Sequence, residues 1–170
     1  SIGQGMELMA MRNREILSRD ETLTVFDYKS ATAFKVSLLL GAIAGGADDN
    51  SIALLSTFSH NIGVAYQIKD DMEDYLNSDG EPDLTKPSIM NSLLSEALSP
   101  AERVVFQGAY YSRDNHKVRQ LADKYNIREI AEALLQKYLT QTRKCLQDFK
   151  NPGLKLALNE ILGKIFKDHI

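Results

Sequence analysis

From Asn50 to Leu76 the apolar positions Ile52, Leu55, Phe58, Ile62, Ala65, Tyr66, Ile68 and Met72 recur at steps of three and four. That is the spacing of a helix face buried against its neighbours, and it predicts a long core helix around which the chain is arranged. The other segments read the same way. Gly3 to Leu17 forms a Met-rich amphipathic helix with no cap or leader before it, an abrupt start that points to an upstream part of the protein. Thr24, with Asp27 at its third position, is the expected cap of a helix running through VFDYKSATAFKVSLLLGAIAGG to a stop at Gly45 and Gly46. Asp48, Asp49 or Asn50 then caps the central helix.

Beyond Tyr75 the pattern stops. NSDGEPDLTKP reads as a loop by its Gly, Pro, Asn and Asp content, and as a candidate lid by its position after an acidic turn. Ser88 to Leu98 is a short helix. Ser99-Pro100-Ala101-Glu102 opens another with a cap, a proline at the first helical position and an acid at the third. Arg113 to Tyr125 is charged and amphipathic. Ile127, Ile130, Leu134, Tyr138, Cys145 and Phe149 mark a longer helix ended by Asn151-Pro152-Gly153, and Leu154 to His169 is the last. Without extended Val/Ile/Thr alternation there is little room for a sheet, so the expected fold is all-α, a single domain over residues 1–170.

Composition narrows the function. A net charge of −3 without a basic block gives no nucleic-acid surface. One cysteine, Cys145, excludes an internal disulfide and fits a reducing, cytoplasmic setting; its place in an apolar stripe points to core packing. No apolar run reaches about 18 residues, so no membrane span is expected. His60, His116 and His169 are scattered, with no HExxH, CxxC or paired ExxH spacing, which leaves zinc and di-iron sites without ligands. The register of a Ca²⁺ loop fails, and the glycines of GAIAGG follow a helix where a dinucleotide fingerprint would open one.

One cluster remains. At the end of the central helix lie Asp70, Asp71, Glu73 and Asp74; Asp70 and Asp74 are one turn apart on one face, and Gln67 shares it. Carboxylates so placed stand roughly 5 to 6 Å apart at Cβ and repel by on the order of 3 kcal/mol at an effective dielectric of about 20. A solvated acidic helix end is the plain reading. A hard-cation site is the sharper one, because Mg²⁺ takes one or two protein carboxylates and completes its octahedron with water and substrate phosphate.

Four motifs in order give the chain its resemblance to a family. Gly3-Gln4 with Glu7 is similar to a GQ(x)nD/E helix, and Tyr28 followed seven residues on by Lys35 is similar to a Y(x)6KT segment in which Val36 replaces the threonine. Tyr66-Gln67 before Asp70-Asp71-Met72-Glu73-Asp74 is similar to FQxxDDxxD, and Asp83 to Ser88 to a lysine loop that precedes a helix. The chain thus resembles the C-terminal half of the trans-isoprenyl diphosphate synthases, the polyprenyl synthetases. The resemblance implies an antiparallel helical bundle of the isoprenoid synthase type, lacking its N-terminal half. It also implies Mg²⁺ on Asp70 and Asp74 with Asp71 in support, diphosphate contacts from Lys35, Gln67 and Lys86, and Lys35, Gln67 and Asp70 acting in the chemistry. Its substrates would be an allylic diphosphate and isopentenyl diphosphate, condensed to a longer trans-polyprenyl diphosphate. The chain by itself is expected to be inactive, and either a homo-oligomer or the small subunit of a heteromeric synthase.

Overall fold

The computed structural model describes residues 1–76 and 87–169, and the backbone but not the side chain of Leu76. Among these residues the chain is helical and has no strand. Helix α1 (Ile2–Asn13) is capped by Ser1, whose Oγ accepts from the Gln4 N–H, a cap that the sequence reading did not assign. Helix α2 (Arg19–Phe26) passes through a π turn (Asp27–Ala31) into α3 (Thr32–Ala44), which stops at Gly45 and Gly46 as expected. The start differs from expectation. Ser18 and Glu21 form the capping box, and Thr24 lies within α2, its hydroxyl donating to the Asp20 carbonyl at 2.8 Å. The S-x-x-E signature at Ser18 outweighs a threonine one turn later because it satisfies two free backbone N–H groups at once.

Helix α4 (Asp49–Leu76), capped by Asp48 through a 2.7 Å bond from the Ser51 N–H, is the predicted central helix. Its stripe Leu55, Phe58, Ile62, Ala65, Ile68 and Met72 is buried. Each large side chain there contributes about 1.5–3 kcal/mol. It packs against α3 and the π turn on one side and α8 on the other. After α5 (Ile89–Ala97), α6 (Pro100–Ser112) and α7 (Asn115–Lys124) come α8 (Ile127–Gln147) and α9 (Pro152–Ile165).

The buried face of α8 is Ile127, Ala131, Leu135, Leu139, Thr142 and Cys145. The expected stripe was one residue out of phase over its middle: Ile130 is 41% exposed, while Leu134 and Tyr138 flank the core. Alanine and threonine on the true face weaken its apolar signal, and larger side chains on the flank outshine it. Cys145 is buried as expected, its thiol donating to the Leu54 carbonyl on α4 at 3.4 Å. A hydroxyl pair, Thr22 with Ser92 at 2.7 Å, ties α2 to α5.

Two glycines set the closest helix contacts. A Cβ on Gly63 of α4 would collide with the Ala31 Cα and stand 2.6 Å from its nitrogen; one on Gly3 of α1 would stand 2.6 Å from the Lys29 nitrogen. The π turn is thus held between α1 and α4 by backbone-to-backbone packing that no side chain can enter.

Gly63→Ala should therefore destabilise the fold by about 3 kcal/mol, read as a fall in denaturant midpoint. Gly108→Ala, where a Cβ meets nothing within 4 Å, should instead stabilise by about 0.5–1 kcal/mol. Acid should unfold the chain partly through Glu102, whose carboxyl is held down at about 2 by hydrogen bonds from Lys124, Ser99 and Tyr125. A depressed carboxyl contributes stability above its unfolded value of 4.5 and loses it as pH falls from there toward 2. Thermal melts of Glu102→Gln should accordingly show a shallower loss of Tm across that window than the parent chain.

Candidate functional site

The C-terminal end of α4 carries the acids on a helix whose apolar face is anchored in the core, so their direction is set by packing. Asp70 is partly buried, and burial raises its carboxyl above the usual carboxylate range, Glu73 and Asp74 adding to the rise while Lys69 and Lys29 oppose it. Gln67, 8% exposed, brings its amide nitrogen to 3.5 Å from the Asp70 carboxylate. Asp74 is exposed one turn on, and Glu73 is held by Lys69 at 2.7 Å.

Asp71 points elsewhere. Its carboxylate accepts the Ile89 N–H at 2.7 Å and with Ser88 caps α5, and burial pushes its pKa up to about 7 against the pull of that bond. One of its oxygens is thereby committed to the fold. Next to the expected metal pair, the acid one residue along joins α4 to α5.

The expected lysine is not brought to the acids. Lys35 opens into a cleft of about 450 Å³ with Tyr28, Ser56, Thr57 and His60, alongside the 2.6 Å pair of His60 and Asp27. Ser56 to His60 precede Asp70 by 10 to 14 residues on the same helix, about 15–21 Å of rise. Lys69 and, more weakly, Lys29 of the π turn lower Asp70, and Lys29 also lowers Asp71; the Lys29 ammonium itself is bonded to Glu7 of α1 at 2.9 Å. Sequence reasoning missed Lys29 because the lysine was assigned by its spacing of seven from Tyr28 in the Y(x)6KT resemblance, which fell on Lys35. The signal present was Glu7, an acid on the facing helix with a lysine to meet. Lys86 and the candidate lid lie outside the described residues.

Among the described residues no three His, Cys, Asp or Glu side chains converge into a cage. The donors still suit Mg²⁺, which needs one or two carboxylates and hard oxygen from elsewhere. Partly buried Asp70 and exposed Asp74 supply two carboxylates one helical turn apart.

Decaprenyl diphosphate synthase from Rhodobacter capsulatus superposes on 99% of this chain and 55% of its own, with a TM-score of 0.84 at 21% identity, which speaks for the fold. The bundle, with its acid-bearing central helix, is that of an isoprenoid synthase. The family model for polyprenyl synthetase matches residues 1–127, and the chain belongs to that family. Geranylgeranyl diphosphate synthase of Sulfolobus acidocaldarius is 38% identical over 72 residues, 42% of this chain and 22% of its own length. A probable mitochondrial hexaprenyl pyrophosphate synthase of Neurospora crassa is 28% identical over 162 residues, 87% of this chain and 36% of its own. Heptaprenyl diphosphate synthase component 2 of Bacillus subtilis is 42% identical over 59 residues, 35% of this chain and 16% of its own. The chain thus spans about half the length of the solved relative and aligns with 16–36% of these curated ones. No described helix is long and apolar enough to cross a membrane.

Asp71→Ala should cost about 1–2 kcal/mol through loss of the α5 cap, seen in chemical denaturation. Asp71→Asn, which keeps an acceptor for the Ile89 N–H, should recover most of it.

Proposed function

We propose that the chain forms the C-terminal part of a Mg²⁺-dependent trans-prenyltransferase that condenses an allylic diphosphate with isopentenyl diphosphate to a longer trans-polyprenyl diphosphate. The observation that carries this reading is the Gln67–Asp70 contact at the acidic end of α4, where the charge of Lys29 is also felt, in a polyprenyl synthetase chain. Asp70 and Asp74 hold the metal. Bound there, Mg²⁺ would neutralise diphosphate charge and so favour its departure.

The chain's own groups then have distinct tasks. Lys29, in place of the expected Lys35, donates to a diphosphate oxygen, and its bond to Glu7 fixes its reach. Gln67 is buried and holds Asp70 in line while offering its amide to substrate. Asp71 is a positioning residue. In the reaction the allylic C–O bond breaks with its electron pair leaving on diphosphate, the isopentenyl double bond attacks the allylic cation, and a proton is lost. Ionisation of this kind depends on fixed positive charge placed where the leaving group forms. One acidic helix end grips a diphosphate from one side, so the chain alone is inactive.

A second reading is a non-catalytic small subunit of a heteromeric synthase; the similarity to a protein named as component 2 of a heptaprenyl diphosphate synthase supports the heteromeric part of it alone. An assay with allylic and isopentenyl diphosphates and Mg²⁺ separates the two. The chain alone should yield no product. Combined with an N-terminal polyprenyl synthetase portion, it should yield product that Asp70→Ala reduces by orders of magnitude and Asp71→Ala reduces less. Turnover untouched by Asp70→Ala and Asp74→Ala would establish the subunit reading, and product from the chain alone would refute its inactivity.

A further inference from the structure

Helix α4 ends without a cation of its own. Its last turn is Glu73, Asp74, Tyr75 and Leu76, with no basic residue among them. The carbonyls at a helix C-terminus lack intrahelical partners and carry partial negative charge, so a last turn that also bears two carboxylates frays readily. The apolar stripe that anchors the helix stops at Met72, which is 4% exposed. Beyond it Tyr75 packs partly against the core.

The cation that this end lacks comes from another helix. Arg119 stands in α7 beside Val118 and ahead of Leu121 and Ala122, all three buried, so its backbone is anchored in the core. Its guanidinium donates to the Tyr75 carbonyl at 3.3 Å and lies 5.7 Å from the centre of the Tyr75 ring. One planar group thus meets both the backbone and the side chain of the residue that follows Asp74. One turn earlier Asp71 ties α4 to α5 through the Ile89 N–H, so the acidic end is braced from two helices. Asp70 and Asp74 are not equally secure. Asp70 precedes Met72 and sits on the anchored part of the helix, whereas Asp74 follows it and keeps its direction only while the last turn stays helical.

We propose that Arg119 of α7 is a positioning residue for the metal pair, holding the last turn of α4 so that Asp74 stays one turn from Asp70 and on the same face. It acts through Tyr75. The inference rests on the reading that Asp70 and Asp74 hold Mg²⁺ with a diphosphate, and it makes the geometry of that pair depend on a helix that carries neither ligand.

The test uses the whole chain with Mn²⁺, a paramagnetic stand-in for Mg²⁺, and inorganic diphosphate, bound Mn²⁺ being read by electron paramagnetic resonance. Asp74→Asn and Arg119→Gln should each weaken Mn²⁺ binding by about 10-fold. The double variant should be no weaker than Asp74→Asn alone, the non-additivity expected when one residue acts through another. Arg143→Gln, which removes the same charge from α8, should leave binding unchanged. Amide hydrogen exchange at Asp74 to Leu76 should quicken by at least about 10-fold in Arg119→Gln, while exchange at Ile62 to Ile68 stays as in the parent. If the glutamine variant does not fold, Arg119→Lys takes its place; it keeps the charge without the planar group and should weaken binding by about 3-fold. Parent-like Mn²⁺ binding or parent-like exchange in the Arg119 variant, a double variant weaker than Asp74→Asn by the full effect of Arg119→Gln, or an equal loss from Arg143→Gln would each overturn the inference and leave the metal pair standing. A parent chain that binds no Mn²⁺, or binding indifferent to Asp70→Asn and Asp74→Asn, would overturn the metal pair and the inference with it.

Discussion

The arrangement of the site depends on how closely three backbones approach one another. Gly63 lets α4 lie directly on Ala31, and Gly3 lets α1 lie on the peptide before Lys29. Between them the chain makes a π turn, an insertion that widens the helix and is frequent at functional sites. The turn shifts the phase of everything after it and carries Lys29, which pairs with Glu7 of α1. A side chain at either glycine would part the helices and move Lys29 away from Asp70.

At the far end of α4 the same helix handles like charges in two ways. Asp71 is absorbed into the fold, capping α5 with a carboxyl whose ionisation burial opposes. Asp70 stays partly open, with Gln67 beside it and cations of the chain only partly offsetting its burial. Neighbouring residues on a helix point about 100° apart, which separates a structural carboxyl from one left to meet a ligand. Gathering like charges at one helix end costs stability, which Lys69 and Lys29 offset only in part at Asp70.

The outer face of α3 and the acid end of α4 are both one-sided. One presents apolar surface that water does not favour, the other charge that the chain does not fully compensate.

The all-α class, the long central helix, its stop in an acid cluster and the starts of α4, α5, α6 and α8 were legible in the sequence, because each rests on local periodicity or on a cap within one turn, whereas the caps of α1, α2, α7 and α9 were not. The motif order pointed to the family that the comparison bears out. What the sequence could not settle lay where packing overrides local pattern. The core phase of α8 passed through Ala131, Leu135, Leu139 and Thr142 in place of Ile130, Leu134 and Tyr138, because small Ala131 and polar Thr142 on that face weaken its apolar signal. Asp71 looked like its neighbours until the start of α5, eighteen residues on, claimed its carboxylate. Lys35 lines a cleft with Tyr28, Ser56, Thr57 and His60, and Lys29, in a π turn packed against glycines of two other helices, pairs with Glu7. Local composition determines which helices form, and the approach of distant backbones decides which of their side chains meet.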